Sequence, residues 1–155
     1  IRFAMKVLSH ARRDYSVDPD RIYLTGVSSG ARAAWTALSL HPERFAAALV
    51  VCGHVRGPRR NGDPAPDTAP FVAGGDDDPL DLLATRIRDI PVWIFHGDVD
   101  PVFPVEDARD VVALLQERGG TVRYTELAGF GHDVWDVAYY SEVVADWLFG
   151  QSRVP

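Results

Sequence analysis

Ser28 is the residue of this chain best placed to do chemistry. It sits in Gly26-Val27-Ser28-Ser29-Gly30, a G-x-S-x-G pattern entered from the apolar run Ile22-Tyr23-Leu24 and left through a helix-forming run that opens at Ala31. On such a strand-to-helix turn the serine hydroxyl is pushed out past the carboxyl edge of a sheet, and small neighbours let the backbone take the strained turn. The N–H of Ser29, one residue on, is then left to face a developing oxyanion. A hydroxyl becomes a useful nucleophile only when a base takes its proton. The chain must therefore also supply an imidazole and a group that orients it.

Two later segments offer those partners. His96-Gly97-Asp98-Val99-Asp100 follows an apolar run, and Gly129-Phe130-Gly131-His132-Asp133 follows another. A buried carboxylate at a strand end can accept a hydrogen bond from one imidazole nitrogen, fixing the tautomer and stabilising the imidazolium. Asp98 and Asp100 both qualify, with Glu106 and Asp107 close by, and position favours Asp100 only narrowly. Either aspartate could instead serve the turn itself. Of the five histidines, His10 falls on a surface helix, His41 at a helix end and His54 at a loop mouth, and His96, before a glycine, reads as structural. His132 remains as the base, in a glycine-flanked loop from which a side chain can reach a nucleophile. Cys52 reads as a small buried strand residue with no partner to lower its pKa. No Cys/His/Asp/Glu spacing suggests a zinc site, and Asp76-Asp77-Asp78 lacks the calcium-loop pattern and reads as a solvated loop.

The elements that must position these residues alternate. The pattern predicts a helix over 1–14, a strand over 21–25, a helix over 29–40 stopped by His41-Pro42, and a strand over 45–52 whose near-continuous apolar run suits burial on both faces. Helix over 80–88, strand over 91–95, helix over 105–118, strand over 121–127 and a closing helix over 134–149, broken near Tyr139-Tyr140, complete the series. Such alternation indicates an α/β layered fold with a mainly parallel sheet. Between them, 53–79 is rich in Gly, Pro, Asp and Arg; a stretch of that length is a functional loop or a disordered one. It is the expected seat of substrate selection, so trimming 60–78 is expected to change acyl preference more than stability.

With 155 residues, the chain has the length of one domain with a real core. An apolar fraction of 46% and a charged fraction of 25% are those of a globular protein in water. A net charge of −6 without a Lys/Arg cluster argues against a nucleic-acid partner. No apolar run is long enough for a membrane span. The single cysteine forms no internal disulfide and leaves the compartment open. Residue 1 is Ile, inside what reads as an amphipathic helix, and the expectation is a piece of a longer chain, with any export signal upstream.

The segments "DPDRIYLTGVSSG", "HPERFAAALVVCG", "IPVWIFHGDVDPVFPVEDA", "VRYTELAGFGHDVWD" and the closing "WLFG" resemble α/β-hydrolase carboxylesterases of the feruloyl-esterase, polyhydroxyalkanoate-depolymerase and phospholipase/carboxylesterase type. The order Ser, Asp, His is also theirs. The resemblance runs through most of 18–149. It implies a partial α/β-hydrolase fold whose N-terminal strands are missing, one catalytic domain over 1–155, nucleophile Ser28, acid Asp100, base His132 and an oxyanion N–H from Ser29. It further implies ester cleavage through an acyl-enzyme on a small-molecule ester, with no cofactor or metal. Relatives commonly carry a second glycine where this chain has Ala31. The loop giving the second oxyanion donor is absent too, and one such donor is typically worth ~10²–10³ in turnover, so the piece alone is expected to be impaired. Its sheet would have an open edge, covered by an upstream segment or a second copy of the chain. The other readings the resemblance leaves are a prolyl-oligopeptidase-like peptidase and a non-catalytic module of the same fold.

Overall fold

The computed structural model describes residues 1–56 and 78–153. Four parallel strands, β1 (Tyr23–Val27), β2 (Ala47–Val51), β3 (Val92–Gly97) and β4 (Val122–Leu127), lie side by side in chain order. Each junction between them carries a helix or a longer connection. In chain order the helices are α1 (Arg2–Asp14), α2 (Ser29–Leu40), α3 (Pro79–Ile87), α4 (Val105–Glu117), α5 (Trp135–Tyr139) and α6 (Glu142–Phe149). The sheet is thus parallel and helix-flanked, as the alternation predicts.

Strand alternation sorts the core into two layers. On one face Ala48, Val50, Val92 and Ile94 meet Trp35 and Leu38 of α2, Leu83 and Ile87 of α3, and Val111 and Leu115 of α4. On the other, Leu49, Val51 and Phe95 meet Val134, Ala138, Val144, Trp147 and Leu148. Every residue of β2 is buried, which explains its unbroken apolar run. α1 contributes half-buried Met5 to the first layer, beside Ile1 just ahead of the helix, and leaves Phe3 and Val7 exposed. Among the described residues β1 pairs with β2 alone, so it forms one edge of the sheet.

Local chemistry sets the ends. Asp78 caps α3 by accepting the Leu80 N–H at 2.9 Å, with Pro79 at the first helical position. α4 stops where Gly119 takes a φ of 71° and Gly120 N–H returns to the Leu115 carbonyl at 2.8 Å. The closing helix is indeed two: α5 ends at Tyr139, and Ser141 caps α6 through the Val144 N–H. The first strand differs from the expected 21–25. Arg21 N–H is held in a turn by the Asp18 carbonyl, so β1 starts at Tyr23 and runs on to Val27, straight into Ser28. The second strand is shorter than 45–52: it opens at Ala47 after the turn at Pro42–Arg44 and closes at Val51, where Cys52 takes a φ of 49° while its N–H still donates to the Phe95 carbonyl at 2.9 Å. Most of the 53–79 loop, with Asp76 and Asp77, lies outside the described residues. Its flanks do not: Arg56 reaches Asp78 at 3.6 Å and Asp110 at 2.7 Å, and Val55 N–H donates to Asp107 at 2.5 Å.

Candidate active site

All four strands deliver their C-terminal ends to one place, the edge of a parallel sheet where ligands bind. Ser28 leaves β1 with φ 55° and ψ −119°, a left-handed conformation that costs a non-glycine residue about 1–3 kcal/mol. Its N–H is tied to the Val51 carbonyl at 2.9 Å, which anchors the turn to β2. Gly26 makes the turn possible: a Cβ there would lie 2.3 Å from the Gly30 carbonyl oxygen. Gly30 has open space at the same position, so the two glycines of the pattern are not equivalent. The Ser28 side chain caps nothing and is free for other partners. Ser29 opens α2, where its N–H has no intrahelical acceptor and the helix N-terminus favours negative charge.

The hydroxyl meets His132. Ser28 Oγ is 2.8 Å from His132 Nε2, and His132 Nδ1 is 2.7 Å from Asp100 Oδ2. A carboxylate accepts, so Nδ1 carries the proton and Nε2 presents a lone pair to the serine O–H. Asp100 is fully buried at its side chain while His132 keeps 20% exposure. The other carboxylate oxygen, Oδ1, accepts the N–H groups of Val102 at 2.7 Å and Phe103 at 3.0 Å. Burial disfavours the charged Asp100, yet the hydrogen bonds from His132, Phe103 and Val102 outweigh it and hold its pKa below the ordinary carboxylate value. Asp98 is turned elsewhere: its Oδ1 accepts the Gly129 N–H at 2.7 Å and so braces the base of the His132 loop. Asp107 braces Val55, and Glu106 lies 3.6 Å from Arg109.

Several residues around this line carry no motif signal. Gly97 ends β3 against the His132 loop, where a Cβ would stand 2.2 Å from the Gly131 oxygen and 2.3 Å from the Phe130 oxygen. Cys52 lies one residue beyond β2, and its thiol donates to the His132 carbonyl at 2.9 Å. Burial pushes that thiol up to about 11, so it stays protonated. Phe103 and Trp135 flank the imidazole edge-on, at 5.4 and 6.3 Å between ring centres. His54 is buried rather than at an open loop mouth, stacked on Phe103 at 3.8 Å with neither ring nitrogen hydrogen-bonded. Burial, with Arg32 nearby, lowers it to about 4. His96 is buried beside Asp100. His10 lies on α1 and His41 just past the end of α2, at the opposite end of that helix from Ser28. Among the described residues, donor atoms of Cys52, Asp100 and His132 lie within 4.8 Å of one another; Asp100 and His132 are hydrogen-bonded to each other, and the Cys52 thiol donates to the His132 carbonyl.

No protein-family model matches the chain, and no curated protein does. Solved structures do. A thermostable esterase is 37% identical with a TM-score of 0.78, over 97% of this chain and 36% of its own. A ferulic acid esterase is 19% identical with a TM-score of 0.66, over 96% and 59%. An acylaminoacyl peptidase from Pyrococcus horikoshii is 17% identical with a TM-score of 0.66, over 84% and 23%; these last two likenesses speak to fold alone. The chain carries part of the α/β-hydrolase fold, which it shares with these structures. It spans about a third of the length of the thermostable esterase. Among the described residues no helix is long and apolar enough to cross a membrane.

Proposed function

We propose that the protein carrying this chain is a serine hydrolase that cleaves carboxylic esters through an acyl-enzyme on Ser28. The observation that carries the reading is the unbroken hydrogen-bonded line from Ser28 Oγ through His132 to Asp100. Ser28 Oγ attacks the acyl carbon while its proton passes to His132 Nε2. Asp100, already hydrogen-bonded to Nδ1–H, stabilises the imidazolium. The carbonyl oxygen becomes an oxyanion facing the Ser29 N–H at the start of α2. Collapse breaks the ester C–O bond, and the leaving alkoxide takes the proton from Nε2. A water then gives a proton to Nε2 as it attacks the acyl-enzyme, and the second collapse frees the acid and returns the proton to Ser28.

The 37% identity to an esterase favours esters over peptide bonds. We further propose one catalytic domain over 1–155, forming the C-terminal portion of an α/β-hydrolase, with substrate selection seated in 53–79. The unpaired edge of β1 would be covered by an upstream segment or a second copy. The test of the ester reading is turnover of a p-nitrophenyl ester and its matched anilide by the whole protein, with Ser28→Ala alongside. Ester cleavage at least a hundredfold faster than anilide cleavage, abolished by the substitution, is expected. Comparable anilide cleavage would move the assignment to a peptidase, and turnover indifferent to Ser28 would remove it.

A further inference from the structure

The leaving group of an ester has a fixed place in this site. His132 Nε2 takes the proton of Ser28 Oγ, 2.8 Å away, and must hand it to the departing alkoxide. The alcohol half of the substrate therefore lies against His132. Two aromatic rings flank that imidazole edge-on, Phe103 at 5.4 Å and Trp135 at 6.3 Å between ring centres. Phe103 is only 8% exposed and is stacked on His54 at 3.8 Å. Trp135 keeps 37% of its surface open, so of the two it is the ring with area to offer a ligand.

Trp135 is also firmly held. It opens α5, and its neighbours Val134 and Ala138 are fully buried in the second core layer. Tyr139, four residues on and so on the same flank of the helix, is hydrogen-bonded through its hydroxyl to Thr25 Oγ1 on β1. That flank thus runs from the base to the strand that carries the nucleophile. The charge along this part of the chain has one sign. From Tyr124 to Ser152 it has Glu126, Asp133, Asp136, Glu142 and Asp146 but no lysine or arginine, and Asp133 and Asp136, on either side of Trp135 in sequence, are exposed.

We propose that Trp135 is the contact for the alcohol half of the ester, and that the substrates are esters of uncharged aromatic alcohols. An exposed flat ring gains most by burying another flat apolar group. Exposed carboxylates next to it repel an alcohol that carries a negative charge of its own. The proposal rests on the ester reading above and adds the class of leaving group to it.

The test compares ethyl, benzyl and 4-carboxybenzyl acetates on the whole protein. All three give the same acetyl-enzyme, so differences in kcat/KM report the step in which the alcohol is still attached. Trp135→Ala is expected to lower kcat/KM about tenfold for benzyl acetate and less than about twofold for ethyl acetate, with Trp135→Phe close to the parent on both. The parent should favour benzyl over 4-carboxybenzyl acetate by about fivefold, a ratio that Asp133→Asn with Asp136→Asn should narrow. Equal losses on ethyl and benzyl acetate would overturn the proposal, because they would show Trp135 merely propping His132; no loss on either would overturn it too. A second reading needs no turnover and uses the unsubstituted protein. There benzyl alcohol should shift the Trp135 indole N–H resonance saturably, and 4-(hydroxymethyl)benzoate should bind about fivefold more weakly. A Trp135 resonance blind to benzyl alcohol would count equally against the proposal. A protein whose Trp135 responds as expected yet cleaves no ester would sink the ester reading alone.

Discussion

Gly97 offers the sharpest mechanical test, because the only change is one methyl group. A Cβ at this position would lie 2.2 Å from the Gly131 oxygen and 2.3 Å from the Phe130 oxygen, where at least 3.0 Å is needed. Both obstacles are backbone, so no flexible side chain can yield. In Gly97→Ala the loop carrying His132 must therefore retreat from β3 by about 0.8 Å, and a displacement near 1 Å at a reacting group costs about 10²-fold in rate. The overpacking itself costs about 1–3 kcal/mol, which leaves a protein folded enough to assay. The assay is the second-order rate of Ser28 phosphonylation, read with urea unfolding on the same samples. Gly30→Ala is the internal control, since nothing lies within 4 Å of its added methyl. It should fold and react like the parent. A Gly97→Ala protein that reacts within threefold of the parent would refute the claim that β3 and the His132 loop are in obligatory contact.

Further outcomes follow from the same geometry. Asp100→Asn should lower turnover by about 10³–10⁴, as loss of the orienting carboxylate does in triad enzymes; Asp98→Asn should cost less than tenfold, and the reverse ranking would exchange their roles. His54 is buried and neutral with its pKa lowered to about 4, so the unfolded chain binds the extra proton first as pH falls from 6.5. Stability is therefore complete above that pH and drains toward pH 4, by about 3 kcal/mol in all. Urea unfolding of His54→Phe between pH 7 and 4.5 should show a shallower loss than the parent, and parallel curves would count against the assignment. Cys52, buried and raised to about 11, should resist iodoacetamide at pH 8 until the protein is unfolded; prompt alkylation would contradict its bond to the His132 carbonyl. Trimming 60–77 should alter relative rates across a panel of acyl esters more than it alters the melting temperature. It should stop short of Asp78, which caps α3 and pairs with Arg56.

What the sequence reveals here is what short-range physics encodes. The strand, turn and helix around Ser28 can be read because apolar periodicity, small residues and a helix-forming run are local features. The helices over 29–40 and 105–117 and the two-faced burial of β2 are legible for the same reason. The choice between Asp98 and Asp100 is not, since a spacing of two leaves both at the strand end. Only the fold of the 98–104 turn, where Val102 and Phe103 N–H groups collect on Asp100 Oδ1, decides which one meets His132. Gly97 carries no mark of its role because the backbone it must clear lies more than thirty residues away. His54 sits at the start of a Gly- and Pro-rich stretch that reads as exposed, and only its stacking on Phe103 reveals that it is buried. Cys52 looks like one more strand residue, and only the structure shows its positive φ and its thiol donating to the His132 carbonyl.

The central claim is that Ser28 is a nucleophile activated by His132, and labelling by a fluorophosphonate, located by peptide mass, tests it most directly. The whole protein should be labelled at Ser28, and Ser28→Ala and His132→Ala should both abolish the label. A folded protein left unlabelled, or one labelled equally well without His132, would contradict the account.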